Sequence, residues 1–120
     1  MKVGFVYDPI YLKHDTGRHV ENAKRLEAII SHLEHTRLKQ QLTPITPCAA
    51  SIEELSLVHD SQYISHIKER AQKGGGWLDA DTVMSADSYE AAIYAAGGII
   101  KATEAVMSGE VASAFALVRP

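Results

Sequence analysis

His14-Asp15-Thr16-Gly17-Arg18-His19 gathers two imidazoles, a carboxylate and a hinge glycine into one short segment. An apolar run, Val3 to Tyr7, precedes it, and loops that follow strands are where sites are built. Spacing alone favours a structural turn, in which Asp15 and Thr16 satisfy loop amides while His14 and His19 anchor side chains. His32 and His35 stand three apart beside Glu34, a spacing that can set two imidazoles on one helix face as metal ligands. Both lie off the apolar stripe near a helix end, so exposed residues favoured by the helix dipole are the plainer reading. Asp79-Ala80-Asp81-Thr82 offers two more carboxylates. It lacks the glycine and distal glutamate of a calcium loop, which leaves a capped turn or an acidic rim accepting a substrate N–H. Gly74-Gly75-Gly76 follows a helical pattern without a Gly-Lys-Ser/Thr ending, so it is no phosphate loop. Cys48 has no Cys or His at ligand spacing and reads as packing. No nucleophile with its base and orienting acid can be assembled from these residues.

The elements that would position them are legible from period and punctuation. Val3–Tyr7 reads as a strand stopped by Asp8-Pro9. From Glu21 to Leu38 the period is helical, with Ala23, Leu26, Ile29, Ile30 and Leu33 in one apolar stripe. Pro44 and Pro47 make Leu42–Cys48 an edge strand or extended connection. Ser51-Ile52-Glu53-Glu54 is a capping box opening a short helix to Leu57 or Val58. Asp60 caps the next helix, with Tyr63, Ile64 and Ile67 inward, and Gly74–Gly76 terminates it. Trp77 to Ala86 reads as a long loop. Asp87, with Glu90 at the capping-box position, starts a helix ending at Ser108-Gly109. That helix is apolar on nearly all sides from Ala91 to Ile100, which predicts burial on both flanks. Gly97-Gly98 in its middle predicts close approach of another backbone. Ser113–Val118 reads as a buried strand. The order argues for an α/β protein with a parallel sheet in which the first and last strands are near-neighbours.

The chain has 120 residues, one domain's worth, and 46% of them are hydrophobic, too many for a disordered chain. A formal net charge of −3 argues against direct nucleic-acid binding. One cysteine cannot form an intrachain disulfide, which fits a reducing compartment, so a cytoplasmic location is expected. Asp8 interrupts the N-terminal apolar stretch, against a signal peptide, and no apolar run is long enough to span a membrane. Domains ordinarily do not stop two residues past a core strand. The chain is therefore expected to be incomplete, ending where open α/β sheets carry functional residues.

Several segments, in order, resemble the histone-deacetylase-like zinc amidohydrolases. They are Val6 through Leu26, then Leu57-Val58-His59-Asp60-Ser61-Gln62-Tyr63-Ile64, then Leu78-Asp79-Ala80-Asp81-Thr82 with Ser88–Ala92 and Ala95–Gly98. Ala116-Leu117-Val118-Arg119-Pro120 resembles the strand leading into that family's Pro-Gly-His-His motif. Val20 departs from the usual proline, which loosens the start of the following helix.

The resemblance implies the arginase/deacetylase fold, a parallel sheet between helices, with residues 1–120 as the N-terminal portion of such a domain. It implies a zinc ion in the parent enzyme, with its ligands, proton-handling histidines and oxyanion-stabilising tyrosine all beyond Pro120. This chain is then expected to bind no metal and to hold no catalytic residue. By the same resemblance Asp81, with Asp79 as the less favoured alternative, is the rim aspartate that holds the substrate. Arg25 lines an inner channel, and His14, His19 and Glu21 shape the first active-site loop. The parent's substrate would be an acyl-amide such as acetyl-lysine or an acetylated polyamine. Two alternatives stay open: a non-catalytic binding or scaffold module of the same fold, and an unrelated small α/β domain with a ligand loop at His14–His19. Self-association into a homo-oligomer is also left open.

Overall fold

Val3-Gly4-Phe5-Val6 carries no charge on either face and forms β1, the middle strand of a three-stranded parallel sheet. The computed structural model describes residues 1–120. On one side of β1 lies β2 (Thr43–Ile45), with Phe5 opposite Pro44; on the other lies β5 (Ser113–Ala116), with Phe5 opposite Phe115. β2 is the expected edge strand, where Pro44 withholds no needed donor. The connections hold α1 (Lys24–His35), α2 (Ile52–Ser56), α3 (Ser61–Gln72) and α4 (Ser88–Met107), with 3-10 helices at Pro9–Lys13 and Leu38–Gln41.

The core lies between the sheet and its helices. Phe5, Tyr11, Leu26, Ala95 and Leu117 form one buried cluster, each from a different segment. Burying a leucine such as Leu26 or Leu117 is worth about 1.5–3 kcal/mol. The Tyr11 hydroxyl, wholly inside, donates to the Tyr94 carbonyl at 2.8 Å. Burial pushes its pKa up to about 12, so it stays a phenol. Gly97 and Gly98 answer to close packing. A Cβ at Gly97 would run into the carbonyl of Cys48, where the Cys48–Ala50 backbone crosses α4 and Ala50 N–H donates to the Ile93 carbonyl at 2.9 Å.

Four local expectations give way. The helix expected from Glu21 begins at Lys24, because Asn22 Oδ1 accepts from the Lys24 N–H and holds the preceding residues in a turn. The stretch expected as a loop, Trp77–Ala86, is part of an antiparallel hairpin of β3 (Gly75–Trp77) and β4 (Val83–Ser85). Asp87 makes no side-chain cap on α4, and Glu90 completes no box; the Ser88 hydroxyl accepts from the Ser85 N–H at 2.7 Å instead. Finally, β5 and the outer flank of α4 are not fully covered: Phe115 and Ile99 are about half exposed, as is Tyr63 on α3. The capping box at Ser51 and Glu54 and the Asp60 cap on Gln62 N–H form as expected.

Candidate functional site

Leu117 N–H continues the β5 ladder by donating to the Val6 carbonyl at 2.9 Å, and Leu117 itself is buried. That anchor delivers the next residues to the carboxyl end of the sheet, the side on which open α/β folds carry ligands. There Arg119, 1% exposed, is fixed on all sides. Its Nη1 donates to the Tyr11 carbonyl at 3.0 Å and to the His14 carbonyl. Its Nε and Nη2 reach the two Glu21 oxygens at 3.1 and 2.9 Å. The planar fork matches a carboxylate at two points, which a lysine could not do. One buried guanidinium thus shapes the whole His14–Glu21 segment. The Thr16 hydroxyl closes the segment from within by donating to the Glu21 carbonyl.

The other end of the segment is tied to α4. His14 Nδ1 lies 2.7 Å from the Ser88 hydroxyl, while Ser85 Oγ donates to the Lys13 carbonyl and accepts from the Asp15 N–H, both at 3.2 Å. Burial lowers the His14 pKa, and the Arg119 charge lowers it further. Arg119 also holds the Glu21 carboxyl below the usual carboxylate range, first through its hydrogen bonds.

These groups form the polar end of a cleft of about 570 Å³. Its apolar lining comes from Ile64 and Ile67 of α3, Ala92 and Ile93 of α4, and Val83 and Met84 of the hairpin. Of the residues singled out in the sequence, His14, His19, Glu21, Arg25 and Asp81 all line this cleft. Arg25 is exposed on α1, its Nη2 at 3.5 Å from the Val118 carbonyl. His19 Nε2 lies 2.8 Å from Asp81 Oδ1, so loop and hairpin tip touch across the mouth. Asp79 does not line the cleft. Its Oδ1 accepts the Asp81 N–H at 2.8 Å, and that backbone bond lowers its pKa. His32 and His35 lie exposed on α1, and no three His, Cys, Asp or Glu side chains of the chain converge as metal ligands.

Sequence reading passed over Arg119, Ser85 and Ser88. Arg119 carried one usable signal, its position just past a strand's carboxyl end. The serines carried none, since their partners Lys13, His14 and Asp15 lie about seventy positions away.

Fold and cleft together define an α/β protein with a cleft at the carboxyl end of a parallel sheet. The chain belongs to the histone deacetylase domain family, whose model matches residues 19–120. It is similar to a probable deacetylase of Methanothermobacter thermautotrophicus, with 35% identity over 82% of this chain and 29% of that protein. A histone deacetylase-like amidohydrolase of Pseudomonas aeruginosa is 30% identical over 99% of this chain and 36% of its own length. The crystal structure of the HDA15 HD domain superposes with a TM-score of 0.94 at 27% identity, covering 99% of this chain and 35% of that one. The chain thus spans about a third of the length of the relatives it matches. Its architecture is that of a part of the deacetylase domain fold, a parallel sheet flanked by helices, and no helix in it is long and apolar enough to cross a membrane.

Proposed function

We propose that these 120 residues are the N-terminal portion of a zinc-dependent deacylase hydrolysing acyl-amides such as acetyl-lysine or acetylated polyamines, and that they form its substrate-holding side. The observation that carries this is the convergence of His14, His19, Glu21, Arg25 and Asp81 on one cleft of a deacetylase-family domain. The apolar walls suit the methylene chain of a lysine or polyamine and exclude water from it. Asp81, an exposed carboxylate at the mouth, accepts a substrate N–H. Glu21, His14 and Arg119 hold the loop that shapes the cleft end, and Arg25 lines an inner channel. Zinc, when bound in the parent, supplies polarisation of the acyl carbonyl. The residues of this chain do not converge as ligands for it, and none is assigned that role.

The test is turnover of an acetyl-lysine peptide and of an acetylated polyamine by the full-length protein, with zinc titration of the 120-residue chain alongside. The full-length protein is expected to hydrolyse at least one substrate, while the short chain binds zinc no tighter than about micromolar, roughly −8 kcal/mol. Turnover of neither substrate would favour a non-catalytic module of the same fold.

A further inference from the structure

The hydrogen bonds around His19 fix the state of its ring. Nδ1 accepts the Glu21 N–H at 3.0 Å, so the proton of the neutral imidazole sits on Nε2. Nε2 then donates to Asp81 Oδ1 at 2.8 Å. The two partners belong to different lips of the cleft, one on the loop before α1 and one at the hairpin tip. Their surroundings differ sharply: the imidazole is 19% exposed and the carboxylate 92%. Asp81 has one further hydrogen bond, from its own backbone N–H to Asp79 Oδ1, which sets the turn but not the side chain. A free surface carboxylate samples several rotamers and loses that freedom on binding. Here the partly buried imidazole removes it beforehand.

We infer that His19 is a positioning residue for Asp81: by engaging Oδ1 it leaves Oδ2 turned to accept a substrate N–H at the cleft mouth. The inference rests on the deacylase reading above. The charged groups facing His19 are Asp81 from the hairpin and Glu21 from its own loop, and both favour the protonated ring, Asp81 first through its hydrogen bond. The Glu21 N–H opposes them, because a proton on Nδ1 would confront that donor. The bond to Asp81 is made by the neutral ring, so no charge on His19 is needed for it.

The geometry separates the two halves of the imidazole. Glutamine places an amide N–H near the Nε2 position, whereas asparagine reaches only to the Nδ1 position. In the full-length protein His19→Asn is expected to lower kcat/KM on an acetyl-lysine peptide about tenfold, and His19→Gln to restore it to within about threefold. In an Asp81→Asn background His19→Asn should cost little more, the non-additivity of a coupled pair. A nitrogen-resolved NMR titration of histidine-labelled protein supplies a readout free of activity. Nδ1 of His19 should be the unprotonated nitrogen, and Asp81→Asn should lower the His19 pKa. An active wild type with a silent His19→Asn, or with the same loss in the Asp81→Asn background, overturns the inference. So does a His19 resonance indifferent to Asp81→Asn. Should the spectra show the pair while the wild type turns over no acyl-amide, it is the deacylase reading that falls, and the substrate role of the pair with it.

Discussion

Arg119 and Glu21 meet at two points, Nε to Oε1 at 3.1 Å and Nη2 to Oε2 at 2.9 Å, across 98 positions of sequence. The guanidinium is wholly inside and the carboxylate is 43% exposed. Water therefore softens one end of the pair but not the other. The energetic weight falls on Arg119, which loses four partner atoms if removed, and the geometric weight falls on the loop it holds.

Arg119→Met should accordingly lower the unfolding free energy of the full-length protein by about 3 kcal/mol, the scale of breaking a buried charge pair. Arg119→Lys keeps the charge and loses the fork, so it should recover less than half. Glu21→Gln should cost only about 1 kcal/mol, because solvent screens that side. Denaturant midpoints measure all three. A methionine variant as stable as wild type would show that the buried guanidinium is not what fixes the loop.

The same cluster sets a pH dependence. His14 and Glu21 both have depressed pKa values in the folded protein. The unfolded chain therefore takes up protons before the folded one, and stability falls with falling pH. The His14 contribution is complete above about 6.5 and is lost as pH drops through its folded pKa; that of Glu21 is complete above about 4.3 and is lost below. His19 runs the other way. Its pKa is raised, so its contribution is complete below about 6.5 and is lost as pH rises through the folded value. In an NMR titration His14 should titrate below the ordinary histidine range and His19 above it. The reverse order would contradict the assigned surroundings of both rings.

Gly97→Ala tests the crossing of α4 by the Cys48–Ala50 backbone. The added methyl would meet a carbonyl rather than a movable side chain, so one segment must shift. A loss of about 3 kcal/mol is expected, at the upper end for overpacking. At Gly98 the nearest atoms are side-chain ones, Tyr11 Oη at 2.8 Å and Val6 Cγ1 at 2.9 Å; both are buried and must shift, but by less than the Cys48 carbonyl at Gly97. Gly98→Ala should therefore be milder. Thermal melts that rank the two variants the other way would refute the argument.

Asp81→Asn and Asp79→Asn distinguish rim from turn. Removing the Asp81 charge should lower kcat/KM about ten- to a hundredfold, the rate equivalent of one charge-assisted hydrogen bond, with melting temperature barely changed. Asp79→Asn retains an oxygen for the Asp81 N–H and should be nearly silent, since asparagine serves such turns well. Asp79→Ala loses that oxygen and should impair turnover through Asp81. Loss of turnover in Asp79→Asn alone would move the rim role by two residues.

Features written within a few residues of one another were legible in the sequence: the Ser51–Glu54 box, the Asp60 cap, the apolar stripe through Leu26, the close approach at Gly97. That the first and last strands lie close together also followed, from their shared apolar character and the α/β order; they are in fact paired directly. The hairpin did not, because Gly74, Gly75 and Gly76 look like a helix stop and hide a strand. All three adopt positive φ, and Gly75 and Gly76 then pair with Ser85 and Met84. The site was readable as residue types but not as partners. Nothing near His19 in sequence points to Asp81, and nothing near Arg119 points to Glu21, Tyr11 or His14. The Arg119 pairings exist only once β5 is docked on β1, and that of His19 only once the hairpin tip meets the loop.

That docking has a consequence in time. β1 is synthesised well before its partner β5, which begins 110 positions later, with Val3 opposite Ser113. At about 5–20 residues per second the ribosome needs roughly 5–20 s to make the intervening chain. Throughout that interval Phe5 lacks its β5 partner, gaining β2 only once Thr43–Ile45 are made, and the loop from His14 to Glu21 lacks the Arg119 guanidinium. The Arg119 end of the cleft is therefore completed by the most distant contacts described above, the slow kind in folding. A nascent chain halted before Arg119 would keep the loop's ties to Ser85 and Ser88 but leave the Glu21 carboxylate without its partner.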